Sequence, residues 1–135
     1  MSSSIINHFM ECLLERLSLK LDNKAKKIYK HAVLNPLTPS LIVQYTKVVN
    51  ASNLVTDKYI LNFTINLIFK DTEIIVVPNI ISDILDVTSI ANFTIQQFEL
   101  TGIRHIETIY KQSDNISTFK HALNFKAMIK KVGYV

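Results

Sequence analysis

Apolar and polar residues near the start of the chain recur with the period of an α-helix. Apolar side chains return every four positions from Ile5 through Leu17. A polar stripe that includes Glu11 and Glu15 occupies the opposite side of the helical wheel. The pattern therefore predicts an amphipathic helix over residues 4–20.

Two further helices are predicted by the same spacing. Asp22 is a suitable N-cap for a helix over residues 23–34, which ends before the prolines that follow it. Thr38 and Pro39 are typical of a helix start, and the apolar positions after them predict a third helix over residues 39–51. The first third of the chain is thus predicted to be helical.

A change of period marks residues 59–69. Large apolar residues alternate with other types at every second position, and aromatic and β-branched side chains are frequent. This pattern predicts a β-strand, and a turn at residues 70–72 with an apolar run over 73–77 completes a β-hairpin. A buried helix over residues 57–69 is the alternative, because both faces of this segment are fairly apolar.

Helical signals return in the second half of the chain. Residues 80–85 suit a short helix, and Ser89 can cap another that ends at Gly102. The apolar spacing within residues 103–110 indicates a further turn or two, and a last helix is predicted over residues 118–132. Helix is therefore the predominant prediction after the hairpin.

Together these elements predict an α+β fold that is mostly helical, with amphipathic helices packed around one β-hairpin. An all-α bundle is the alternative if the hairpin segment is helical. The chain has 135 residues, of which 48% are hydrophobic, so it can bury a core without disulfides or metal. No repeat or linker interrupts it, and one globular domain is predicted over residues 1–135.

Charge is distributed unevenly along the chain. The net charge is +4, made up of +3 over residues 1–31, −3 over residues 32–110 and +4 over residues 111–135. Cys12 is the only cysteine, so no internal disulfide is possible. Neither a leader peptide nor a transmembrane segment is recognisable, and an intracellular protein, in cytoplasm or nucleus, is expected.

Lysines in the predicted C-terminal helix form the clearest functional pattern. Its apolar side includes Phe125 and Ile129, and lysines occupy the other side; a second lysine group lies near residues 20–30. Such lysines can neutralise phosphates without reading bases. The alternative is a solvated face whose lysines complement the helix dipole. The residues assigned to anion or nucleic-acid contact are Lys24, Lys27, Lys30, Lys120, Lys126, Lys130 and Lys131.

Residues with catalytic or metal-binding potential are isolated. His8 and Cys12 have the spacing of half a zinc site, but no second pair of ligands accompanies them. Asp83 and Asp86 are interpreted as a solvated face, and a chain with two glycines has no glycine-rich phosphate loop. No catalytic residue, metal ligand or cofactor is assigned, and a non-enzymatic protein is predicted; an enzyme with a dispersed site is the weakest alternative.

Two functions fit these observations best. The first is an interaction or assembly protein that acts through apolar and basic surfaces on a protein partner or a second copy. Small viral accessory and structural proteins are of this kind, and frequent Ile, Asn and Lys are typical of AT-rich coding, as in many large DNA viruses, some parasites and some endosymbionts. The alternative is a DNA- or RNA-binding module, either a lysine patch or a winged helix with residues 39–51 as recognition helix and 70–72 as wing tip.

Overall fold

The fold combines one long mixed sheet with two helices. A computed structural model describes residues 3–55, 57–90, 94–95, 98–112 and 118–131. In chain order the elements are α1 (Ser3–Lys20), β1 (Lys27–Tyr29), β2 (Ser40–Asn50), β3 (Lys58–Lys70), a 3₁₀ helix (Asp71–Val76), α2 (Val77–Ile90), β4 (Thr94–Ile95), β5 (Phe98–Gln112) and β6 (Thr118–Lys131).

The described strands form a six-stranded sheet in the order β1-β2-β3-β6-β5-β4. The β1–β2 pair is parallel and the other pairs are antiparallel. Strands β3 and β6 lie at the centre and pair without interruption from Lys58–Lys130 to Lys70–Thr118. Because successive side chains point to opposite faces, the odd-numbered residues of both strands share one face.

Both helices pack on that odd-numbered face. Phe63 lies at the middle of the core, with its ring centroid 5.5 Å from that of Phe9 on α1 and 5.1 Å from that of Phe125 on β6. The buried residues of α2 recur every three or four positions and include Ile80 and Ile84, which join the same cluster. One hydrophobic core therefore lies between the helices and the sheet.

The opposite face of the sheet has no helix packed on it in the described part of the chain, and we call it the helix-free face. It consists of the even-numbered residues of β3 and β6 and of the residues of β2 and β5 that pair with them. On the four long strands they are Ser40, Ile42, Gln44, Lys47, Val49, Lys58, Ile60, Asn62, Thr64, Asn66, Ile68, Lys70, Glu99, Gly102, Arg104, Glu107, Ile109, Thr118, Lys120, Ala122, Asn124, Lys126, Met128 and Lys130.

The structure confirms the predicted helix 4–20, the strand 59–69 and the helical segment 80–85. The prediction of a mostly helical fold is wrong, and so is the all-α alternative, because a mixed sheet dominates. The helices predicted over 23–34, 39–51, 89–102, 103–110 and 118–132 are wrong: their described residues hold β1, β2, β4, β5 and β6, apart from residues 89–90, which end α2.

Bulges explain two of these errors. The register shifts between Tyr45 and Lys47 in β2, and again at two places in β5. Each extra residue changes the phase of the apolar alternation. In β5 the core-facing residues Leu100 and Ile103 are consequently three positions apart, which is the spacing of one helical turn.

The strand β6 satisfies both periods. Its odd positions from Phe119 to Ile129 face the helices, and Lys120, Lys126 and Lys130 fall on even positions that also share one side of a helical wheel. Pairing with β3 on one side and β5 on the other favours the strand. The helix predicted over 23–34 does not form, and the apolar residues Val33 and Leu34, which end that segment, are exposed and do not join the core.

The predicted hairpin is also wrong in its second half. Glu73 accepts a hydrogen bond of 2.7 Å from the backbone N–H of Lys70 and so caps a 3₁₀ helix, which leads into α2 at Val77. Strand β3 finds its partners in β2 and β6. The winged-helix alternative fails with it, since residues 39–51 form a strand and 70–72 begin the 3₁₀ helix.

Candidate interaction face

A row of basic side chains crosses the helix-free face. Lys47 pairs with Asn62 on the next strand, Asn62 with Lys126, and Lys126 with Arg104. Neighbouring strands lie about 4.8 Å apart, so the row spans roughly 14 Å across four strands. The three basic side chains of the row are exposed. Residues far apart in sequence therefore form one cationic row.

The lysines of β6 extend this row along the strand. Lys120, Lys126 and Lys130 occupy even positions of β6, and Lys58 lies directly beside Lys130. At about 3.3 Å per residue, the three lysines of β6 cover roughly 33 Å. We call the combined set the cationic track; it consists of Lys47, Lys58, Arg104, Lys120, Lys126 and Lys130.

A hydrogen-bonded polar group lies beside the row. The Thr64 hydroxyl donates to Asn124 Oδ1 at 2.7 Å, and Asn124 Nδ2 donates to Glu107 Oε1 at 3.2 Å. These residues line a cavity of about 300 Å³, whose walls include Lys47 and Lys126. These two hydrogen bonds hold the Asn124 side chain in place between the strands, so this part of the cavity wall, next to the cationic track, has a fixed geometry.

The predicted lysines fall into separate places. Lys120, Lys126 and Lys130 lie together on the helix-free face, whereas the register places Lys131 on the other face. Lys24 forms an ion pair with Asp83 of α2, whose side chain is only 11% exposed. This lysine therefore has a structural partner in the fold.

The other two predicted lysines lie near β1. The ammonium group of Lys27 is 5.4 Å from the ring centroid of Tyr29, on the same face as the track. Lys30 lines a cavity with residues of α1, on the helix side. The two lysine groups of the sequence thus share a face only in part.

Sequence analysis did not assign Lys47, Lys58 or Arg104 to this site. Each is a single basic residue in the acidic middle of the chain, and only strand pairing brings it beside the lysines of β6. Recognising residues 40–50 and 98–112 as strands would have been the signal needed to find them.

An apolar groove lies elsewhere on the molecule, between α2 and the start of β6. Its volume is about 610 Å³, and its lining consists of Ile74, Val77, Pro78, Ile81, Ser82, Leu85, Asp86 and His121. Ile75, beside it in sequence, is 84% exposed, and Tyr110 is 68% exposed. Several of the exposed large apolar side chains of the described residues therefore lie in or beside this groove.

His121 is held at the base of this groove by aromatic neighbours. Its ring centroid lies 4.8 Å from that of Phe69 and 4.4 Å from that of Tyr110, both edge-on. Its Nδ1 atom is buried and has no hydrogen-bond partner among the described residues. Burial lowers the pKa of His121, because the charged imidazolium loses solvation there.

The described residues contain no group of three or more His, Cys, Asp or Glu side chains that could hold a metal ion. His8 is exposed on α1 and Cys12 is half-buried on the same helix. No helix in the described ranges is long and apolar enough to cross a membrane.

Solved structures contain a similar fold. A chain of the "Virion of native gene transfer agent (GTA) particle" superimposes with a TM-score of 0.66 over 87% of this chain and 91% of that chain, at 14% sequence identity. No protein-family profile and no curated protein sequence matches. At this identity the likeness establishes a shared fold, and that fold spans nearly the whole length of both chains.

Proposed function

We propose that this chain is a non-enzymatic structural subunit of a virion or gene-transfer particle, in which it binds neighbouring subunits. The observation that carries the proposal is the shared fold with a virion chain over 87% of this chain and 91% of the other. It supports the assembly role predicted from composition.

The apolar groove beside α2 is the surface that we propose for subunit contact. Ile74 and Ile75 are 59% and 84% exposed, and Tyr110 is 68% exposed. Exposed apolar side chains grouped around a groove are typical of protein–protein contact sites. Burying such side chains against another subunit removes apolar area from water at about 25 cal/mol per Å².

Free strand edges offer a second means of contact. In the described ranges β4 pairs only with Phe98 and Glu99 of β5, and β1 pairs only with residues 40–42 of β2. Among the described residues, the remainder of β5 and the remainder of β2 have no strand partner on their outer sides. Unpaired edges are templates for pairing with another chain, so both edges can join neighbouring subunits.

Particle isolation tests the proposal. Cells that produce the chain would be given an epitope-tagged copy, and nuclease-resistant particles would be purified on a density gradient. We expect the tagged chain in the particle fraction, and we expect its deletion to leave incomplete particles in electron micrographs. Absence of the chain from the particles, together with normal particles after deletion, would overturn the proposal.

A matched pair of variants tests the groove. Ile75→Asp should prevent incorporation into particles, because it places a charge in the proposed contact. Leu34→Asp is the control, since Leu34 is 93% exposed in the segment between β1 and β2, away from the groove. Equal incorporation of the two variants would show that the groove is not the contact surface.

A further inference from the structure

We propose that the helix-free face binds duplex nucleic acid through its phosphate backbone, along the cationic track. The inference concerns a different surface from the proposed subunit contact and does not depend on it. It rests on the charge, the geometry and the residue types of this face.

The charge of this face exceeds that of the whole chain. Together with Lys27 on β1, the described residues of the helix-free face include eight basic and two acidic side chains, a net charge of +6. The whole chain carries +4. The remainder of the molecule is therefore net negative, and a polyanion approaching the protein is attracted to this face.

Five of the six basic side chains of the track are exposed, and Lys120 is half-buried. In the part of the chain that the structure describes, the ion pair found joins Lys24 to Asp83, and none involves the track. Of the two acids on the face, Glu107 accepts a hydrogen bond from Asn124, and Glu99 is the cross-strand neighbour of Lys130. Binding an anion would therefore not require an existing ion pair to break.

The dimensions of the track fit a polymer. Its lysines extend roughly 33 Å along β6 at about 3.3 Å per residue. Successive base pairs of duplex DNA are about 3.4 Å apart, so the track matches roughly ten base pairs. A small anion would contact one or two of these side chains and leave the others unused.

The residue types favour a duplex backbone over other polyanions. Among the described residues of the helix-free face, Tyr29 at the β1 edge is the one aromatic side chain, and Lys27 lies over its ring, so no aromatic ring stands beside the cationic track for single-stranded bases to stack on. The scarcity of aromatic side chains argues against a folded acidic protein, because protein interfaces are enriched in aromatic residues and arginine, and Arg104 is the one arginine among the described residues of this face. Lysines contact phosphates as point charges, and this predicts binding without sequence preference.

Fluorescence anisotropy of the purified full-length chain with a labelled 20-base-pair duplex tests the proposal. We expect binding to two unrelated sequences with equal affinity. With four phosphates contacted, the slope of log affinity against log salt is about −3.6, which is roughly a hundredfold loss between 50 and 200 mM NaCl. No binding at 20 mM NaCl would overturn the proposal.

Two triple variants with the same change in net charge locate the site. Arg104→Gln/Lys126→Gln/Lys130→Gln removes exposed track residues and should lower affinity at 50 mM NaCl at least tenfold, with a salt slope smaller by about 2.7. Lys20→Gln/Lys26→Gln/Lys30→Gln, which changes exposed lysines outside the track, should retain near-normal affinity. Equal losses would show that total charge, and not the track, determines binding.

Two competitors distinguish duplex nucleic acid from other polyanions that could bind this face. A single strand of the same length and a polyglutamate peptide would be titrated against the bound duplex. We expect each to displace the duplex only at higher concentration. Tighter binding of the single strand or of polyglutamate would overturn the assignment to duplex nucleic acid, the latter in favour of an acidic protein partner.

Discussion

Replacing Leu123 by alanine distinguishes the observed strand β6 from a helix in the same segment. Leu123 is fully buried, and it lies between Ile65 of β3 and Thr108 of β5. A helix with Phe125 and Ile129 inward would leave Leu123 away from its apolar side. In the strand, Leu123→Ala removes a core side chain and should cost about 3 kcal/mol, within the usual range of roughly 2–5 kcal/mol.

Urea denaturation followed by far-ultraviolet circular dichroism measures this cost, and the chain has no tryptophan to report by fluorescence. The melting temperature should fall by on the order of 10 °C. Met128→Ala is the control, because Met128 is 49% exposed on the helix-free face and its loss should cost less than about 1 kcal/mol. Equal costs for the two variants would refute the assignment of β6 as a core strand.

Two further predictions concern ionisable groups. Lys24→Met should lower the free energy of unfolding in urea by about 1–2 kcal/mol, because the Asp83 carboxylate, 11% exposed, loses its ion-pair partner. Lys26→Met, which changes an exposed lysine, should lower it by less than about 0.5 kcal/mol. Equal losses for the two variants would contradict the pairing. His121 should titrate below 6.5 by NMR, since burial lowers its pKa. Below pH about 6.5 the unfolded chain protonates His121 more readily than the folded chain does, so the free energy of unfolding should fall as the pH drops. His121→Phe should flatten that part of the plot of stability against pH, and an unchanged plot would contradict this prediction.

The sequence predicted the elements whose period is unbroken. Helix α1 has a single apolar face over its whole length, and β3 alternates without a bulge. Strand β2 was missed because its bulge separates the core-facing Val43 and Val48 by five positions, an odd spacing that obscures the alternation. Strand β6 was missed because its lysine spacing satisfies both periods, and only tertiary pairing distinguishes them.

The candidate site could be predicted only where it follows one strand. Lys120, Lys126 and Lys130 were recognised together because any regular element through that segment places them on one side. Arg104 joins them through the β5–β6 register, which no local pattern encodes. Lys24 shows the opposite case, since a residue that resembled part of a basic patch is paired with Asp83, 59 positions away.

Electron cryomicroscopy of particles purified from cells that encode this chain tests whether the chain is a particle subunit. We expect density for copies of a six-stranded sheet with two helices on one face, at a fixed number per particle and in contact with neighbouring subunits. A particle map in which every density is assigned to other chains, with this chain left in the unassembled fraction, would contradict it.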